Sequence, residues 1–243
     1  MLLNDRIDFQ GVFSVKALDK DNNVIDEYVD NNLIMDRARQ NMAQLVGGVT
    51  GAGGTNEPNV GRHINKFVLG TLGHKSTGIL DNKDPNVAGV DGYESVRTAL
   101  FSEEAAPLDV AVTQTETIPY HYAIEFDVTN DSLDYTDNTS TNAVVSMYNG
   151  TNTTPLYTGI QDVAATDVSV QRVVGGTEGR TVTYTITVPV GEGNPDSTDV
   201  NKPVIAYTEA ALYAGEDIFS MKCFPARVKE NTVKFEITWS IIF

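Results

Sequence analysis

Asp19, Asp21 and Asn23 stand at alternate positions, and Glu27 and Asp30 follow at the ninth and twelfth places counted from Asp19. Oxygen ligands at this spacing converge on a hard cation in calcium-binding loops, which also need a glycine at the sixth place and helices on either side. The sixth place here is Val24, and the flanking residues alternate in polarity as strands do. A hairpin turn made of Asp and Asn accounts for the same residues without an ion. The expectation is therefore no metal site, with Asp19, Asp21, Asn23 and Asp30 as the weak candidate set.

Other chemistries find less to work with. The three histidines, His63, His74 and His121, are nowhere spaced by the three or four residues that would bring two imidazoles to one metal. Gly70-Thr71-Leu72-Gly73-His74-Lys75-Ser76 has the composition of a phosphate-binding loop but puts two residues between its glycines, not four, and a histidine before the lysine. Glu103-Glu104 reads as a solvated acidic turn, since two carboxylates working on a glycosidic bond must face each other across it. Cys223, the single cysteine, lies in an apolar stretch and reads as a small core residue. Tyr120, Tyr122, Tyr135, Tyr148 and Tyr157 could build a carbohydrate platform, although the first two fall in a core register. No catalytic residue, no cofactor and no enzymatic role is expected.

The elements that would carry these residues are mostly strands. Phe13, Val15 and Ala17 alternate with polar neighbours, residues 19–23 interrupt, and Val24-Ile25 resumes toward Tyr28 and Val29, which is a hairpin pattern. After Leu33-Ile34-Met35, apolar residues recur at three- and four-residue spacing through Ala38, Met42, Leu45 and Val46, and Gly47-Gly48 stops them; this predicts one short amino-terminal helix. His63 to Gly70, with Ile64 and Phe67-Val68-Leu69, is a short strand ending at a glycine, and residues 71–99 read as a long irregular connection. Clean period-two alternation then marks Tyr120–Val128, Val182–Val190 and Val233–Phe243, the last running to a Phe243 expected to face the core. Residues 130–175 are rich in Asn, Thr, Asp and Ser. The predicted architecture is mainly β, a β-sandwich of jelly-roll or Ig-like type, with residues 1–129 and 176–243 forming the core domain and 130–175 an inserted small β subdomain or loop-rich module.

Composition narrows the partners. The chain has 243 residues, 41% of them hydrophobic, enough for a core without disulfides. Lys and Arg number 17 against 33 Asp and Glu, a net charge of −16. Such a surface repels phosphate backbones and anionic headgroups, so neither nucleic acid nor a membrane is expected as a partner. The first residues lack the basic and apolar regions of a signal peptide, which predicts synthesis in a cytoplasm.

Several short segments recur in a telling order: Asn32-Leu33-Ile34 before the helix, Phe67-Val68-Leu69-Gly70-Thr71, Glu94 with Arg97, Glu209 to Leu212-Tyr213, and Phe224-Pro225-Ala226-Arg227 before Trp239-Ser240-Ile241-Ile242-Phe243. This order resembles that of tailed-bacteriophage virion structural proteins of the tail, baseplate and collar-fibre type, most specifically over residues 204–243, while 130–175 falls outside the pattern. The resemblance implies a homo-oligomeric part of a virion, made in the host cytoplasm, that docks other virion proteins as an adaptor or fibre attachment. Capsid decoration, a head fibre, or a carbohydrate-binding receptor module that takes a host glycan through residues 130–175 are the alternative expectations.

Overall fold

The computed structural model describes residues 10–35, 38, 42, 63–75, 78–83, 97–108, 117–126, 138–140, 143–159, 168–175, 181–194 and 204–243. These form two antiparallel sheets packed face to face. The first has the order β2 (Val24–Asn31), β1 (Gln10–Leu18), β15 (Lys234–Ile242), β12 (Thr181–Val188), β11 (Ser169–Gly175) and β8 (Asn138–Ser140). The second runs β10 (Tyr157–Thr158), β9 (Val144–Asn149), β7 (Tyr120–Glu125), β4 (Ile64–Gly70), β13 (Ile205–Ala214), β14 (Asp217–Lys229) and β3 (Leu33–Ile34). A two-stranded hairpin, β5 (His74–Lys75) with β6 (Gly78–Asn82), lies against β14, and a single helical turn, α1 (Phe101–Glu104), sits near β7 and β4. The architecture is the β-sandwich expected from the alternation.

Alternation is clearest in β1, β12 and β15, where every second side chain enters the core. Phe13, Val15 and Ala17 of β1, Tyr184, Ile186 and Val188 of β12, and Phe235, Ile237, Trp239 and Ile241 of β15 enter the core. Their neighbours Ser14, Thr183, Thr185, Thr238 and Ser240 line the opposite face, where Thr183 and Ser240 share a hydroxyl hydrogen bond of 3.0 Å. Between the sheets the rings interlock: Trp239 meets Phe13 edge-on at 4.9 Å between centroids and Phe67 at 6.3 Å, and Phe13 lies 5.1 Å from Phe224. Offset and edge-to-face pairs of this kind add to plain area burial.

The second sheet is buried on both sides, so its central strands read as nearly unbroken apolar runs. Phe67, Leu69, Tyr122, Ile124, Ala210 and Leu212 point to the main core. Val68, Ala123, Ala211, Tyr213, Met221 and Cys223 point the other way, into a second cluster closed by Met35, Leu100 and Phe101. Residues 33–35 and 97–108 therefore act as a cover over the outer face of this sheet.

Several expectations are adjusted. The helix predicted over residues 36–46 lies outside the described residues, apart from Ala38, which is fully buried in the main core, and Met42, which packs on it. The connection 71–99 contains the β5–β6 hairpin, whose strands are too short to leave a periodic signal. Phe243 does not face the core: burial in β15 ends at Ile241, and Ile242 and Phe243 are exposed. The last strand nonetheless runs inside its sheet, between β1 and β12. Within 130–175, the described strands β8 and β11 extend the first sheet and β9 and β10 the second.

Replacing Phe13 with alanine empties a site that touches β2, β14 and β15 at once. The expected loss is about 3–5 kcal/mol of unfolding free energy, read in urea melts from the fluorescence of the single tryptophan, Trp239.

Candidate functional site

The weak metal set is not assembled. Asp19 holds the β1–β2 turn together: its Oδ1 accepts the backbone N–H of Asp21 at 2.8 Å and of Asn23 at 2.9 Å, and its Oδ2 accepts the Asn23 amide at 3.0 Å. These bonds, the Asn23 side chain first, lower its pKa. Asn22 next to it takes a positive φ of 63°, the left-handed backbone that Asn tolerates in turns. Asp30 lies at the far end of β2, opposite Phe13, where it accepts hydrogen bonds from Tyr28 Oη at 2.9 Å and Lys222 Nζ at 2.7 Å. Among the described residues no group of three or more His, Cys, Asp and Glu is arranged to hold a metal ion.

A larger polar constellation forms under the cover of the second sheet. Glu209, fully buried on β13, accepts the backbone N–H of Phe101 at 2.9 Å, of Ser102 at 2.9 Å and of Leu72 at 3.3 Å. Its carboxylate thus satisfies the free donors that open the α1 turn and steadies the bend after β4. Burial raises its pKa, and these hydrogen bonds act against the rise. The two glycines of the failed phosphate loop exist for this approach. A Cβ on Gly70 would come within 2.6 Å of Glu209 Oε1 and would overlap Ser102 Oγ, and one on Gly73 would lie 2.7 Å from Glu209 Cβ.

Glu103, expected in a solvated turn, is instead turned inward. It accepts the Leu100 N–H at 2.7 Å, the reach-back bond of a capping box, and a short hydrogen bond from Tyr213 Oη. Burial raises its pKa, while the bonds from Tyr213 and Leu100 oppose the rise. Glu104 is the exposed member of the pair and meets Arg97 at 2.5 Å. The Arg97 guanidinium also lies 3.6 Å from the centre of the Phe101 ring, with Lys83 Nζ at 4.4 Å. At the other end of the cover, the Asn149 amide exchanges two hydrogen bonds with the backbone of Leu108, at 3.1 and 2.7 Å.

A second knot centres on Ser220 of β14, which is fully buried. Its hydroxyl donates to the Leu33 carbonyl at 2.8 Å and accepts from Asn32 Nδ2 at 2.7 Å and from the Trp239 indole at 3.2 Å. Several of the segments whose order marked the resemblance come together at two places. Gly70, Arg97, Glu209 and Tyr213 lie around the α1 turn, while Asn32, Leu33 and Trp239 gather at Ser220. None of the protein-family models, curated proteins or solved structures compared with the chain matches it.

At one end of the core, Lys229 and Glu192 are both fully buried. Burial lowers the Lys229 pKa to about 7, with nearby Glu192 acting in the opposite sense. The Lys229 ammonium reaches the Glu230 carbonyl at 3.3 Å. Tyr207 Oη donates to the Gly193 carbonyl at 2.6 Å in the same region, and Asn194 Nδ2 donates to Asn231 Oδ1 at 2.7 Å.

Of the tyrosines, Tyr120 and Tyr122 are core residues and Tyr135 lies outside the described residues. Tyr148 stacks on His121 with the ring planes 11° apart, and Tyr157 packs on the main core. The four described tyrosines do not share one exposed platform. Burial lowers the His121 pKa to about 4, so its ring is neutral at pH 7. Cys223 is buried, with a pKa raised first by burial, and is a poor nucleophile. Among the described residues no helix is long and apolar enough to cross a membrane.

On the surface the distinctive feature is β2. All of its residues but Tyr28 are exposed, including Val24, Ile25 and Val29. Its acids are each met by a base: Asp26 by Arg227 at 3.2 Å, Glu27 by Lys16 at 3.6 Å and Asp30 by Lys222 at 2.7 Å. Tyr28 packs inward against Phe13 and Phe224, which fixes the strand from below.

Glu209→Gln places an amide NH2 against backbone N–H donors. Unfolding free energy is expected to fall by about 1–3 kcal/mol, and limited proteolysis should cut within residues 97–108 before the sandwich unfolds. Lys229 gives a pH signature. Its folded pKa lies below its unfolded one, so between about pH 7 and the unfolded pKa near 10.4 the unfolded chain binds the extra proton and stability rises with pH. Denaturation at pH 7 to 9 should show this rise, and Lys229→Met should flatten it.

Proposed function

We propose that the protein is a structural component of a tailed-bacteriophage particle that acts by docking against other protein surfaces in the tail, baseplate or collar, not by catalysis. The observation that carries this reading is the use of its polar groups. Glu209, Glu103, Asn149, Ser220 and Asp19 each spend their hydrogen-bonding capacity on holding one stretch of chain to another. Groups engaged in this way, Glu209 and Ser220 fully buried among them, stiffen a scaffold and give up the freedom that acid–base or nucleophilic work requires.

The ordered segments that resemble virion proteins support the same reading, and Asn32, Leu33, Glu209, Tyr213 and Trp239 among them take part in these contacts. A rigid body with an exposed strand edge is suited to meeting neighbours without rearrangement. In this reading the partners are other virion proteins and further copies of the chain, and the protein resides in the virion.

Mass spectrometry of purified particles from the phage that encodes the chain tests the proposal. The chain is expected at a fixed copy number that survives washing in high salt. Its absence from particles, or its release by mild salt, would overturn the structural role.

A further inference from the structure

We propose that residues 97–108 are a strap that lifts off the outer face of the second sheet as one unit while the sandwich stays folded, and that Glu103 gates it, shut in acid and released as the pH rises. This goes beyond the docking reading and does not rest on it.

A segment resists local opening by burying apolar side chains and by pairing its backbone in ladders. The strap does little of either. Only Leu100 and Ser102 in it are fully buried, while Thr98, Glu104, Ala106 and Pro107 are exposed. Among the described residues it adds no strand to a sheet, and its one helical turn spans four residues. What holds it is a set of hydrogen bonds: Phe101 and Ser102 to Glu209, Tyr213 to Glu103, the Thr151 N–H to the Ala105 carbonyl at 2.9 Å, and Leu108 to Asn149.

These bonds share groups. One Glu209 carboxylate takes two neighbouring N–H groups of the strap, and one Glu103 carboxyl takes the Leu100 N–H and the Tyr213 hydroxyl. Freeing one end alone leaves a covered donor or acceptor without its partner, whereas lifting the whole strap returns all of them to water. Opening is therefore all or none.

Glu103 gives the opening its pH dependence. Tyr213 faces it from β13 and Lys66 from β4, with the Lys66 ammonium 4.4 Å from the centre of the Tyr213 ring, and Glu104 follows it in the chain. Burial is the main cause that raises its pKa and Glu104 adds to the rise, while Tyr213, Leu100 and Lys66 oppose it. Burial also keeps Tyr213 and the Cys223 thiol protonated, and it pushes Glu209 in the same direction as Glu103. Once the strap is lifted, Glu103 stands in water and titrates at about 4.3. The closed strap thus binds the proton more tightly. Its advantage is whole below the pKa of the open form and is lost as the pH rises through that of the closed form. Lys229 acts with the opposite sign on the sandwich as a whole, so the two responses are separable.

Hydrogen exchange of the full chain between about pH 5 and 8, corrected for the intrinsic pH dependence of amide exchange, reads the opening directly. The Phe101 and Ser102 amides are expected to exchange together, with protection at least about a hundred-fold below that of β15. That protection should fall by up to about ten-fold per pH unit for the one proton that Glu103 releases. Glu103→Gln, which cannot ionise, should remove most of the fall. Tyr213→Phe, which deletes a bond that favours the ionised carboxyl, should move the fall to higher pH. Phe13→Ala, placed in the main core, should lower the protection of β15 and leave that of the strap. Strap amides that exchange at the rate of β15, that follow Phe13→Ala, or that keep or gain protection as the pH rises would each overturn the proposal. So would an undiminished pH response in Glu103→Gln, or a fall moved to lower pH in Tyr213→Phe.

Discussion

Burial of the Glu209 carboxylate against the backbone of Phe101 and Ser102 is the constraint on which the sandwich depends. A carboxylate in an apolar interior is costly unless donors surround it. Here the donors are the first N–H groups of a helical turn, which need an acceptor just as much. Each side removes the other's penalty, and the result is a cover pinned over the outer face of the second sheet. Without that cover, Val68, Ala123, Ala211 and Met221 would present a sheet face of apolar side chains to water. Asn149 at Leu108 and Glu103 beneath Tyr213 secure the same segment at other points.

The molecule is thus asymmetric about its core. Among the described residues the first sheet sends its core side chains to one side and has hydroxyl-bearing residues on the other; the second is packed on both. Trp239 and Ser220 link the two, one through its ring and indole N–H, the other through three hydrogen bonds. The distinction explains which strands carry polar residues safely. Thr185 or Ser240 sits at an outer position and costs nothing, whereas Thr208 and Glu209 are buried and must be partnered: Thr208 Oγ1 accepts the Gly73 N–H at 2.8 Å, and Glu209 takes three donors.

Legibility in the sequence follows the same line. β1, β12 and β15 were readable because one face meets solvent and the other a core, which imposes a period of two. In β13 both faces are buried, so Ile205–Ala214 shows a strand without showing which way its side chains point. The grip of Glu209 on Ser102 spans 107 residues and ends on a backbone N–H, which has no side-chain signature to find. Its one visible trace was the pair Gly70 and Gly73, whose spacing matched no phosphate loop because it serves a close approach of strand and carboxylate. Lys229 and Glu192 were hidden for a different reason: a buried ionisable residue looks the same in a sequence as a solvated one. Asp19, Asp21 and Asn23 suggested an ion because turn formation and cation binding draw on the same oxygen-bearing residues.

The outer row of Ser14, Thr238 and Thr185, strand beside strand, has a consequence for how the chain can vary over time. These half-buried positions lie outside both hydrophobic clusters and take no part in the hydrogen bonds of Glu209 or Ser220, so they can change to suit a new neighbour while the interior stays as it is. A scaffold divided in this way can acquire new contacts on one broad side without relearning how to fold.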